Sequence, residues 1–226
     1  MSTGIVDEAV SQIRSKILRQ NPAEKALPSQ SALAAELGIS RTAVREAMSI
    51  LQAQGLIEVQ QGKRPQVVPV SNLLLNEQLK LFIARQGASF HQVMEVRLPL
   101  EIEVTRIAAQ RATPDNINQM QRCIDRLKNA KRLNDQIAAD RDFHIRLAEA
   151  TGNQLFVAIL ESFHHGLQVS MKMTLGNVGI RHALRGHRAI LDAITQHDPK
   201  LAATRMQQHL KQAVKDYAPQ GRRLSQ

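Results

Sequence analysis

The chain has a single cysteine, a single tyrosine and no tryptophan, and only 3% of it is aromatic. One thiol, Cys123, excludes a framework of intramolecular disulfides. So few rings argue against a binder of single-stranded nucleic acid, which stacks bases on aromatic side chains. No apolar run approaches the roughly 18 residues that a membrane-crossing helix needs, so no membrane partner is expected. The stretch MSTGIVDEAV has neither a basic start nor a long apolar segment. No secretory signal is read there, and a cytoplasmic location is the expectation.

What is present suits a globular protein. The 226 residues are 43% hydrophobic and 22% charged, enough for one large domain or two smaller ones. The formal charge of +10 invites a nucleic-acid reading, but its distribution weakens that inference. Residues 1–70 carry eight Lys/Arg against six Asp/Glu, whereas residues 71–226 carry 22 against 14. All eight histidines lie beyond residue 90. Any case for DNA must rest on where particular cations sit.

The first 70 residues alternate helix and turn signals. Val6, Ala9, Val10, Ile13 and Ile17 recur at helical spacing. NPAEKALPS reads as a loop ending in Ser29, a helix-capping residue, and SALAAEL is a short helix stopped by Gly38. Ser40 caps a third helix that reaches about Gln54 and ends at Gly55. Residues 57–60 and 66–70 read as strands flanking QGKRP, a hairpin tip. This order outlines a winged helix-turn-helix.

In the third helix Val44, Ala47, Met48 and Leu51 form the apolar stripe, leaving Arg41, Thr42 and Arg45 off it near the N-terminus. Arg41 and Arg45 are four apart and share a face. A recognition helix presents its N-terminal side chains to base edges in the major groove, where arginine donates twice to guanine. The hairpin tip adds Gln61, Gly62, Lys63 and Arg64, suited to phosphate or the minor groove. Two exposed arginines alone would be an ordinary solvated face; the full arrangement makes them a DNA surface.

LPSQSALAAELGISRTAVREAMSILQAQGLIEVQQGKRPQV resembles the DNA-binding domain of GntR-type bacterial regulators. The resemblance spans about residues 5–70. It implies DNA contacts at Arg41, Thr42 and Arg45, with Gly62 in the wing and Ser40 at the helix start. Gln61 and Lys63 complete the expected DNA-binding set. Ser31 departs from the pattern: many relatives carry a charged residue there, some an arginine used on DNA.

Beyond residue 71 strand signals vanish. Helices are predicted at 73–86, 90–112, 114–131, 135–151, 153–174, 180–197 and 199–217, many with an apolar stripe such as Leu155, Ile159, Phe163 and Leu167. Short connections make neighbours antiparallel. The predicted fold is thus mainly α: a winged helix-turn-helix over 1–71, then an all-α antiparallel helical bundle over 72–226. Cys123 falls in step with Ile117, Met120, Ile124 and Leu127, as a small core residue does.

DRDFHIRLAEATGN places Asp140 and His144 one turn apart on one helix face, and later helices supply His187 and His209. One carboxylate and three imidazoles can hold a divalent ion such as Zn, Ni, Mn or Fe. Taken singly, each histidine reads as well as a polar surface or core residue, and spacing does not bring three helices together. The bundle is also similar to the FCD domain of the FadR branch. The matching pieces are E-x-R-x3-E at Glu95, Arg97 and Glu101, AAQRAT, D-x3-H with the following GN, and H-x2-I-x2-AI-x3-DP. That resemblance implies Asp140, His144, His187 and His209 as ligands.

Three features stay open. Arg97 either faces a cavity and takes an organic anion or forms a surface pair with Glu101. The His164–His165 pair is structural or sends one ring toward the cavity. Asn153 shapes the turn after Gly152. The resulting expectation is a ligand-responsive regulator, a homodimeric repressor of double-stranded operator DNA with a metal and a small carboxylate effector. The rival is a metal-dependent hydrolase or lyase with an appended DNA-binding domain. Glu149 lies off the face of His144, so no obvious extra general base accompanies the donors.

Overall fold

The computed structural model describes residues 2–19, 26–60, 63–68, 73–166, 175 and 179–217. The chain divides into two compact units, Met1–Leu74 and Leu75–Gln226.

In the first unit α1 (Ser2–Arg19), α2 (Gln30–Leu37) and α3 (Arg41–Ala53) close on one apolar core. The helical stripe of α1, from Val6 to Ile17, is buried, and it packs against α3. Val44, Ala47, Met48 and Leu51 of α3 are likewise buried. Both caps read from the sequence form: the Ser29 hydroxyl accepts from the Ala32 amide at 3.2 Å and Ser40 from the Ala43 amide at 3.1 Å. Gly38 turns the chain between α2 and α3 at φ +67°, a conformation that favours glycine.

The wing strands are shorter than predicted. β1 (Ile57–Glu58) pairs antiparallel with β2 (Gln66–Val67), Ile57 opposite Val67. Past Glu58 the Lys63 amide turns back to the Gln60 carbonyl at 3.1 Å, and Pro65 has no amide to donate. The Pro65 carbonyl instead accepts from Leu27, and Gln66 bridges Ala26, so the other edge of β2 holds the α1–α2 loop. Gln61, Gly62 and residues 69–70 lie outside the described residues.

The second unit takes α4 (Leu73–Gln86) from Leu75 onward and continues through α5 (Phe90–Arg111), α6 (Pro114–Asn129), α7 (Leu133–Ala150) and α8 (Gln154–Gly166). After Leu175 and Gly179 come α9 (Arg181–Thr195) and α10 (Pro199–Tyr217). Thr113 and Pro114 start α6 as a capping box, because the threonine hydroxyl and Asn116 each take the other's amide. Asn153 accepts from the Leu155 amide at 3.0 Å and so opens α8. The core is dense where α5 lies along α10, α9 along α10, and α6 along α7. Cys123 sits in it with Met120, Ile124 and Leu127.

The stripe predicted for α8 needs correction. Leu155 and Ile159 are exposed, at 70% and 39%, and Leu167 lies outside the described residues. The buried face is Val157, Leu160, Ser162 and His164. Helix α8 is apolar on more than one side, so periodicity alone selects the wrong face. Ser162 donates to buried Asn76 of α4 at 2.6 Å, which ties the first helix of the bundle to α8. No helix among the described residues is long and apolar enough to cross a membrane.

Candidate functional site

Helix α3 leaves Arg41, Thr42 and Arg45 exposed on the side opposite its buried stripe. Ser40 spends its acceptor on the cap, while its hydroxyl proton remains able to donate to a phosphate. Lys63 and Arg64 are exposed beside the wing tip, Lys63 within 2.9 Å of the Gln60 side chain.

In the bundle, α7, α9 and α10 bring the sequence-selected histidines together. One donor atom each from His144, His187 and His209 lies within 4.8 Å of the other two. His144 and His187 are fully buried and His209 partly so. Asp140 joins the cluster through His187, its Oδ1 lying 3.3 Å from Nε2. The His187 ring stacks on Phe143 at 4.0 Å, which fixes its plane. Neither nitrogen of that ring has a hydrogen-bond partner among the described residues. A buried imidazole with both nitrogens unsatisfied is costly unless something else takes a lone pair, so the donor set fits a divalent ion.

Electrostatics favour the ligating forms. Burial, reinforced by His144, pushes His209 down to about 3. Burial, with His209 and His144 beside it, holds His187 well below the usual imidazole range. Both rings therefore keep a free lone pair at neutral pH. Burial raises the Asp140 carboxyl against the pull of His144 and Arg97.

Sequence reading missed part of this constellation. Glu101 is 1% exposed and contacts both Arg97 and His144. Burial alone would raise its carboxyl, yet Arg97, and then His144, hold it far below the ordinary range. An ionised carboxylate can only accept, so His144 Nδ1 donates to Glu101 and Nε2 is left for a metal. Of the two readings left open for Arg97, the surface pair with Glu101 does not hold, because the pair is buried. His164 is also buried, 3.4 Å from Arg97 Nη2, while the side chain of His165 is not among those described. Glu101, His144 and His164 form a second close donor group, but Glu101 is already committed to Arg97 and His144.

Gly186, one residue before His187, was also missed. A Cβ there would overlap the His209 ring, coming within 2.9 Å of its Cγ. Glycine inside a helix costs roughly 0.5–1 kcal/mol relative to alanine. Here it is the residue that lets α9 lie directly on a candidate ligand.

Arg97, Asp140, His144 and His209 form one end of a small cavity of about 60 Å³ between α5, α7, α9 and α10. The guanidinium predicted to meet an effector therefore does border a cavity, held in place by Glu101 and His164.

Residues 5–67 match the family described as bacterial regulatory proteins, gntR family, and residues 92–212 match the FCD domain. The HTH-type transcriptional repressor NanR of Enterobacter sp. (strain 638) is 31% identical over 217 residues, covering 91% of this chain and 81% of that protein. The chain belongs to the GntR family of regulators with an FCD domain. NanR of Escherichia coli (strain K12) is also 31% identical, over 81% of this chain and 73% of its own length. The GntR structure from Streptococcus agalactiae superposes with a TM-score of 0.70 at 24% identity, covering 93% of this chain and 99% of that one. As a GntR regulator the protein acts on DNA as a transcription factor, and the hydrolase-or-lyase reading is set aside.

The buried imidazoles give this GntR regulator a pH signature. His164, His187 and His209 are depressed when folded, against 6.5 when solvated. Above 6.5 neither state binds these protons. Below it the unfolded chain takes up protons that the folded chain refuses, so stability falls as pH falls toward about 3. Asp140 has the opposite sign and offsets part of the loss. Thermal melts of chelator-treated protein should show a melting temperature that declines steadily below about pH 6.5. A flat melting temperature from there to pH 4.5 would contradict the neutral buried cluster.

Proposed function

We propose that the protein is a homodimeric, cytoplasmic repressor whose DNA grip is released by a small organic acid bound beside a divalent metal. In this reading residues 1–71 form the DNA-binding domain and residues 72–226 the effector-binding and dimerisation domain. Arg41 and Arg45 read base edges, Thr42 and Ser40 hold phosphates, and Gln61, Gly62 and Lys63 engage the backbone from the wing. Asp140, His144, His187 and His209 hold the ion, whether Zn, Ni, Mn or Fe. When bound, the ion offers open coordination positions to hard oxygen donors. Arg97 takes the acid's carboxylate through parallel donors, Glu101 and His164 orient Arg97, and Glu101 also sets the His144 tautomer.

The observation that carries this reading is the convergence of three imidazoles, a carboxylate and a buried arginine, with Arg97, Asp140, His144 and His209 bordering one cavity. The exposed Leu155 and Ile159 of α8 support self-association, since a helix face of this kind gains from being covered.

An effector releases DNA only if it binds two conformations unequally. By linkage, operator DNA then weakens acid binding by the same factor, typically about 5–150-fold. A thermal-shift screen of organic acids, with and without divalent metal, finds the acid, because a ligand of the native state raises the melting temperature. Operator titrations with that acid then test Arg97→Lys. This substitution keeps a cation beside buried Glu101 and removes only the paired donors. We expect unchanged DNA affinity without acid and a release midpoint raised about tenfold. An unchanged midpoint removes Arg97 from the site.

A further inference from the structure

The cavity has a second polar end that the proposed function does not use. Helix α10 lines it with His209, Gln212, Ala213 and Asp216, spaced i, i+3, i+4 and i+7 on one face. Seven residues of helix place His209 and Asp216 about 10 Å apart along the axis. Between these ends the walls are apolar, made by Phe90 and Met94 of α5, Leu175, and Ala183 of α9. Phe90 stacks on Tyr217 at 4.0 Å, so the outer end of α5 is fixed against the end of α10.

The carboxylate of Asp216 is mostly buried, with 12% of its side chain exposed. His182 Nδ1 donates to it at 3.0 Å from Oδ2, and Gln212 Nε2 donates to Oδ1 at 2.8 Å. A carboxylate offers about four accepting positions, so these two donors leave capacity on Oδ2. That end of the cavity is an acceptor and carries negative charge. The end at Arg97 and the histidines is built for an anion.

Resting on the acid-effector reading, we infer that the ligand is a monocarboxylate with an apolar middle and a hydrogen-bond donor at its far end, received by Asp216. The apolar waist disfavours a polyhydroxylated chain, whose hydroxyls would lose water without finding partners there. A dicarboxylate that spans the cavity sets its second charge against Asp216, a like-charge contact in a largely dehydrated place. Asp216 is thus a specificity-determining residue at the end of the cavity opposite the metal donors.

The test uses calorimetric titration of the zinc-loaded full chain with three acids of five carbons each: 5-aminopentanoate, pentanoate and pentanedioate. The expected order is 5-aminopentanoate tightest, about tenfold over pentanoate, with pentanedioate weakest. In Asp216→Asn the first two converge and pentanedioate gains. Pentanedioate binding as tightly as 5-aminopentanoate to the wild type overturns the inference, as does an unaltered ranking in Asp216→Asn. The wild-type ranking needs no variant, so a misfolded Asp216→Asn leaves the test standing. Equal binding of all three acids rejects this inference and leaves the acid-effector reading intact. No binding of these three acids by zinc-loaded protein rejects this inference, and the acid-effector reading falls with it only if the thermal-shift screen also finds no acid.

Discussion

Replacing Arg41 and Arg45 together with alanine is expected to weaken operator binding by about 2–6 kcal/mol, because each bidentate base contact contributes about 1–3 kcal/mol of discrimination. The discriminating part is lost: a selected operator and a scrambled duplex become nearly equal partners. The fold should not suffer. Both side chains are exposed, and substitutions at such positions usually move stability by less than about 0.5 kcal/mol. The cap on α3 is also untouched, since it uses Ser40 and the Ala43 amide. Fluorescence anisotropy on the two duplexes, at one fixed salt concentration, reads both affinity and preference. Operator affinity preserved in the double variant would mean that α3 does not read the groove through these arginines.

Metal content should respond just as sharply to His187. The native chain is expected to hold about one divalent ion, and His187→Ala to hold none after dialysis. This histidine is the most informative single target. Its ring has no hydrogen-bond partner among the described residues, so truncation breaks no hydrogen bond, and it removes the 3.3 Å contact with Asp140 and the stacking contact with Phe143. His144→Ala is less clean, since Glu101 would lose the donor it faces in a buried place. Elemental analysis of folded His187→Ala, checked by circular dichroism, decides the matter. Wild-type occupancy in that variant would place the ion elsewhere.

Much of the fold could be read from local chemistry. Ser29 and Ser40 marked helix starts because they satisfy backbone amides that the helix cannot, and those bonds are present. Stripes with one apolar face, as in α1, α3 and α6, identified their buried residues. Helices without that asymmetry did not. On α5, Glu101 was readable as a neighbour of Arg97 from the i+4 spacing, but its burial was not, because spacing gives adjacency and says nothing about which face turns inward. The same holds for His164 on α8. The approach of α7, α9 and α10 at the donors follows from packing over long sequence separations, which no local pattern encodes. Gly186 could have been noticed as a glycine within a strong helical pattern, a position where a close neighbour is the usual reason.

On the proposed reading, that glycine sets stability and sensing against each other. By propensity alone, residue 186 is the natural place to strengthen α9 by putting in alanine, and a campaign to raise the melting temperature would choose it early. The added methyl would meet the His209 ring, and the ring is the partner able to turn away. A variant picked for heat resistance at this position would keep every donor atom in its sequence and still present them to the ion in a different arrangement. For this chain, thermal robustness is therefore a poor proxy for a working sensor.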